Sequence, residues 1–465
     1  MPRIPTADRA ARPASKRAPT RRLARGFARI ASLALASLVA AVAPPHDRCL
    51  AAQDVPAARS IDDGDRLASE GKYLAALIAK ERALESRPRD PQLLNMVATL
   101  RSFLGDEAGA CAAMEALGGG GRGAAPSAAL ARELASCTPV DALEEIARQA
   151  ATRRIVILNE AHHVARHRAF ALALAERLHA LGYRYLACET FTADAGELRR
   201  RGHPTEATGY YTREPFFAEF VRAAVALGFE PIHYEIERSS APPTDVAASI
   251  RERETAQCAN LVLRLFARDP AAKAFIYCGY SHATEEWTAR ADGDDDGWMA
   301  ARLGRALGLD PLTIDQTEQT PGSTPERSGA AWTFAERRGW LARPVLLRRA
   351  DGGWFVGGDG WAGKVDLQLF HPALAPVDGR PGWMAGSGGR VAAEIPVELE
   401  PREGRSMVEA RRADDPPTAL AVDRLVLEAG EPCPMLLLPP GRYRLVAQDE
   451  RGASVAEAAI EVTAR

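Results

Sequence analysis

Five short apolar runs, at residues 155–158, 183–188, 229–234, 274–278 and 311–314, are separated by stretches long enough for helices, notably 164–181 and 244–267. Apolar runs of this length between turn signals read as buried strands, and strands joined by helical crossovers build a mostly parallel sheet with flanking helices. The expected fold class is therefore α/β over 127–325, with an extension to 389 as the alternative. Each run is followed by polar residues: Glu160 and His162, then Glu189, then His233 with Glu235 and Glu237, then Gly279 and His282, then Asp315. Open α/β sheets bind ligands beyond the carboxyl ends of their strands, so these five ends predict one shared cleft.

Within the segment Arg154-Ile-Val-Ile-Leu-Asn-Glu-Ala-His-His163, Glu160 and His162 are two residues apart. Such residues point the same way in an extended chain, which sets a carboxylate beside an imidazole, a pairing suited to proton transfer or metal binding. The bland alternative is that Glu160 caps a helix beginning near Val164. Glu189 and His282 at two further strand ends favour a site. His163 and His167 have metal-ligand spacing on a helix, but Arg166 and Arg168 beside His167 point to a solvated face. His233, inside an apolar strand, reads as a core histidine. Gly279-Tyr-Ser-His-Ala283 is similar to the nucleophile elbow of serine hydrolases, with Ala for the last Gly. Downstream only His371 could complete a triad, so His282 is preferred to Ser281. Arg253, Glu254, Gln257 and Asn260 form a polar stripe at helical spacing. Its default reading is a solvated face, and its alternative is an arginine that holds an oxyanion or a carboxylate.

The chain has 465 residues, enough for several domains, and a net charge of -2 that gives no sign of nucleic acid as a partner. The exception is the N-terminus, where nine basic residues from Arg3 to Arg29 precede the apolar stretch Ile30–Val42 and the small residues near Ala52. That plan predicts a signal peptide and basic leader over 1–52, hence a periplasmic or secreted protein that meets a membrane only through an uncleaved signal. Cleavage leaves six cysteines, of which Cys111 with Cys137 is the one candidate disulfide, while Cys188 and Cys278 read as buried thiols. Gly71, Tyr73 and Ala76 recur as Gly105, Glu107 and Ala110 at an offset of 34. Residues 60–118 thereby resemble tetratricopeptide repeats, too few to stand alone and expected to lean on the neighbouring α/β region, with a protein partner as one use. Residues 119–126 read as a Gly-rich linker, 127–150 as a helix, and 390–465 as a small all-β sandwich with a hairpin turn at Pro439-Pro-Gly-Arg.

Asn159-Glu-Ala-His162, Cys188-Glu189, Arg253-Glu254 with Asn260-Leu261, and Gly279-Tyr-Ser-His282 occur in this order, each in or after a strand or long helix. In that order they resemble the motifs of the superfamily uniting erythromycin esterases, haem-binding uptake proteins of the ChaN type, and the TraB and Tiki proteins. Asn159 stands where the family has glycine. The resemblance covers roughly residues 150–320 and implies an α/β domain whose Glu and His residues act together. For hydrolysis it implies Glu160, His162, Glu189, Arg253 and His282 as the catalytic set: His162 activates water, Glu160 holds its tautomer, and His282 with Arg253 steadies the oxyanion. For a divalent metal it implies Glu160, His162, Glu189 and His282 as ligands, and for haem it implies Tyr280 or His282 as the axial ligand. The leading expectation is an exported hydrolase of small-molecule esters or lactones. The alternatives are a haem- or metal-binding uptake protein without catalysis and an interaction scaffold with a degenerate site.

Overall fold

A computed structural model describes residues 63–118, 125–237, 245–289, 295–358 and 360–464. The expected leader at 1–52, its cleavage point near Ala52, and residues 119–124 of the linker lie outside them. Residues Gln53–Arg465 form one compact unit.

Its centre is a parallel sheet of six strands: β1 (Ile155–Glu160), β2 (Tyr185–Cys188), β3 (Glu230–His233), β4 (Ala274–Gly279), β5 (Leu312–Asp315) and β6 (Leu367–Gln368). Every neighbouring pair is parallel, in the spatial order β6-β5-β1-β4-β2-β3. The chain leaves β1, skips one place to β2 and β3, returns to fill the gap with β4, and continues outward through β5 and β6. β1 and β4 therefore adjoin where the winding reverses, the position at which such sheets form a ligand crevice. All residues of β1 and β4 are buried, which explains why both read as unbroken apolar runs. Register sets Glu160 beside Gly279 and Cys188 beside both Tyr277 and His233, so the polar strand ends are level with one another.

The helix Arg166–Ala180 covers one face with Phe170, Leu174 and Leu178, and the helix Pro215–Leu227 packs beside it through Phe217, Phe220 and Val221. Glu214 caps the second helix by accepting from the Phe216 and Phe217 amides. Gly228 ends that helix at φ 104°, a conformation that favours glycine.

The single helix expected over 127–150 is two, Ala128–Ala135 and Ala142–Ala150. Pro139 disfavours helical geometry in the residue before it, and Thr138–Asp141 instead pairs antiparallel with Val345–Arg348. The hard-to-read segment 325–389 supplies both that partner strand and β6. At the C-terminus lies a small antiparallel β unit. A four-stranded sheet, Asp423–Glu428, Arg405–Arg412, Gly441–Asp449 and Ser454–Val462 in that order, shares a core with the ribbon Val391–Ala393/Leu436–Leu438. Pro439 and Pro440 link the ribbon to that sheet rather than turning a hairpin, because Leu436–Leu438 pairs with Val391–Ala393 and not with Gly441–Asp449.

Helices Tyr73–Ser86, Pro91–Phe103 and Glu107–Glu115 precede the sheet. Their core of Tyr73, Val97, Leu100 and Phe103 includes Met407 of the C-terminal sheet. The buried Arg424 guanidinium lies 4.2 Å from the Tyr73 ring centroid and donates to the Phe103 carbonyl at 2.8 Å. Cys111 and Cys137 are both free, so the candidate disulfide is not formed; Cys111 packs on Ala161 and Val164, Cys137 on Trp332 and Leu347. Cys188 and Cys278 are buried thiols. Among the described residues no helix is long and apolar enough to cross a membrane.

Candidate active site at the carboxyl edge of the sheet

Glu160, the last residue of β1, places Oε1 2.9 Å from His162 Nδ1. The rest of its carboxylate accepts from Arg168 Nε at 2.8 Å, Arg168 Nη2 at 3.1 Å and Tyr277 Oη at 2.8 Å. Burial alone would raise its pKa, but the Arg168 charge and the hydrogen bonds from His162 and Arg168 bring it down to about 2. An ionised carboxylate only accepts, so Nδ1 of His162 carries the proton and Nε2 keeps a lone pair. The His162 ring is stacked on Tyr211 at 3.9 Å and meets the edge of Tyr280 at 5.2 Å. Arg168 is fully buried. It also donates to the His162 carbonyl at 2.7 Å and to Glu214 at 3.2 Å, and it lies 5.1 Å from the Phe217 centroid.

A second cluster is centred on Glu189, just past β2. Its Oε2 accepts from the Gly279 amide, and its Oε1 contacts Arg253 Nη2 and lies 3.5 Å from His282 Nε2. Burial opposes its charge, yet His282 and Arg253 hold it well below the usual carboxylate range. His282 Nδ1 is in ion-pair contact with Glu254 Oε1 at 2.8 Å, without the alignment of a hydrogen bond. Burial would lower the His282 pKa, but Glu189 and Glu254 raise it to about 10. Arg253 Nε bonds both Glu235 oxygens at 3.1 and 3.0 Å, and its Nη1 lies 3.1 Å from His282 Nε2. Two cations are thus held together by three carboxylates, Glu189, Glu235 and Glu254. Gly279 joins the clusters: a Cβ there would sit 2.5 Å from His162 Nε2 and 3.1 Å from Glu189 Oε2.

The polar stripe of the helix Val246–Leu261 faces this cleft instead of solvent. Glu254 and Gln257 are buried, Gln257 donates to Glu235 at 3.0 Å, and Asn260 donates to the Tyr234 and Glu235 carbonyls at 3.0 and 3.1 Å. His167 and Arg168 are likewise buried rather than solvated. His167 Nδ1 accepts from the Ala161 amide at 3.1 Å and Nε2 bonds Thr320 at 2.8 Å. The signal for this was the helical spacing of His167 and Arg168 with Ala171, Leu174, Ala175 and Leu178. Glu160 caps nothing, since the helix begins at Arg166 with Ala165 at its cap position and no side-chain bond. His233 is half-buried and pairs with Glu237 at 3.2 Å. Asn159, in the place of the family's glycine, bonds Asp315 at 2.9 Å and the Tyr280 carbonyl at 3.0 Å. Sequence reasoning missed Arg168, Tyr277 and Tyr211 as parts of the site.

The residues do not fit a metal. Both Glu160 oxygens are engaged, Arg253 lies among the other carboxylates, and among the described residues no three His, Cys, Asp or Glu side chains are grouped to hold an ion. Nor do the haem candidates share a pocket. Tyr280 Oη lies 3.3 Å from His163 Nδ1, beside a cavity of about 330 Å³, whereas His282 is enclosed by Glu189, Glu254 and Arg253 and does not line that cavity. Ser281 lines the cavity, and among the described residues no histidine is hydrogen-bonded to it.

No family model matches the chain, and no curated protein does. Among solved structures it is similar to the type III effector HopBA1, at 13% identity and a TM-score of 0.27, covering 40% of this chain and 85% of that one. A second is RRSP, a MARTX toxin effector domain from Vibrio vulnificus, at 14% identity and a TM-score of 0.30, covering 55% of each chain. A third is the C-terminal region of Pasteurella multocida toxin, at 9% identity and a TM-score of 0.28, covering 68% of this chain and 46% of that one. At these scores the likenesses establish neither fold nor activity.

Proposed function

We propose that this protein hydrolyses esters or lactones, as its resemblance to the erythromycin esterase, ChaN, TraB and Tiki superfamily implies. The reading rests on the Glu160–His162 contact of 2.9 Å, in which Arg168 and Tyr277 help keep the carboxylate ionised and so fix the imidazole with a basic Nε2. In the proposed reaction His162 Nε2 takes a proton from water as the water oxygen attacks the carbonyl carbon. Arg253 and His282 stabilise the negative charge that forms on the carbonyl oxygen. Collapse breaks the bond to the alkoxy oxygen, which recovers the proton from His162, and acid and alcohol are released. Glu189 positions Arg253 and His282 without touching the substrate. A panel of 4-nitrophenyl esters and aromatic lactones tests this. Turnover should be lost by about a hundredfold or more in His162→Ala and kept in Ser281→Ala. No turnover across the panel by the wild-type protein, or loss in Ser281→Ala with retention in His162→Ala, overturns the reading.

A further inference from the structure

The cavity of about 330 Å³ beside the active site has two unlike walls. Cys111, Met114, Val164 and Trp361 form an apolar one, and Tyr280, Ser281 and His163 form a polar one on the side of the Glu160–His162 pair. Tyr280 is the partition: its ring meets His162 edge-on at 5.2 Å and its hydroxyl lies 3.3 Å from His163 Nδ1. Its backbone holds φ 39°, a left-handed conformation costly for a side-chain-bearing residue, and Asn159 Nδ2 anchors its carbonyl at 3.0 Å. Strain of this kind, kept in place by a buried hydrogen bond, marks ligand clamps and active sites. The volume is at the low end of the roughly 300–1,000 Å³ of small-molecule pockets, which suits one or two fused rings and not a macrocycle. Two carboxylates, Glu115 and Glu318, also line it, and they disfavour an anionic occupant.

We propose that this cavity is the pocket for the body of the substrate, and that the substrate class is an uncharged, ring-sized ester or lactone whose apolar face lies on Met114 and Trp361. This rests on the hydrolase reading for its chemistry but not for its binding, so the two are tested apart. Coumarin serves as the binding probe and dihydrocoumarin as the hydrolysable one. Wild type and His162→Ala should bind coumarin equally. Met114→Trp, which fills the cavity, and Trp361→Ala, which removes an aromatic wall, should each weaken coumarin by about tenfold or more and raise the KM for dihydrocoumarin with kcat little changed. Circular dichroism identifies which of the two variants is folded. Coumarin binding by wild type without turnover of any ester would remove the hydrolase reading and leave the pocket standing. Turnover with KM unchanged in the folded variants, or failure of wild type to bind coumarin at millimolar concentration, would overturn the pocket.

Discussion

Glu160 is both a positioning residue and a structural one, because the charge it neutralises, Arg168, has no exposure to solvent. Glu160→Gln leaves Arg168 with Glu214 as its remaining carboxylate, and breaking a buried pair by removing one partner costs about 3 kcal/mol or more. Urea denaturation should show that loss alongside loss of activity, whereas His162→Ala should lose activity with a much smaller change in stability. Equal stability of Glu160→Gln and wild type would mean that Arg168 is adequately neutralised without it. His282 yields a pH prediction. Its pKa is raised from 6.5 to about 10, so its stabilising contribution is complete below 6.5 and is lost as pH rises through 10. Wild-type stability should fall across that window, and the fall should be shallower in His282→Gln. Glu160 acts at the opposite end: with its pKa lowered from 4.5 to about 2, its contribution is present above 4.5 and disappears as pH falls through 2.

At the scale of elements, the site depends on how closely β1 and β4 approach at their carboxyl ends. Gly279 pairs with Glu160 in register, and its bare α-carbon makes room for the His162 ring. Its φ of -85° is ordinary, so glycine is required there by space and not by backbone conformation. Gly279→Ala should therefore displace His162 and lower kcat by about tenfold or more, with the fold retained by circular dichroism. Activity at the wild-type level in that variant would show that the ring can move without consequence. The helix Val246–Leu261 is the other determining element, because it brings Arg253, Glu254, Gln257 and Asn260 to the cleft from a single face.

Across the whole molecule, the N-terminal helices are part of the same body as the sheets. They cover Met407, give Arg424 a carbonyl and an aromatic ring, and contribute Cys111 and Met114 to the cavity wall. A protein beginning at residue 125 would expose that apolar face and leave the buried Arg424 with fewer partners. It should melt several degrees lower than the intact chain, or fail to fold, and should lose coumarin binding. An unchanged melting temperature would mark the helices as an independent module.

The sequence by itself determined the parts set by short-range pattern. The five apolar runs became β1 to β5 with ends within two residues of those expected, and the two-residue spacing of Glu160 and His162 became a 2.9 Å contact. Burial period and chain direction are local properties, so they can be read locally. Only the tertiary structure decided that β4 inserts between β1 and β2, that the two-residue β6 closes the sheet edge, and that Tyr277 and Arg168 converge on Glu160. Tyr277 is 117 residues from Glu160, and Asn159 is 156 from Asp315. Contacts over such separations depend on strand order and on which helix face turns inward, and no window of neighbouring residues encodes either.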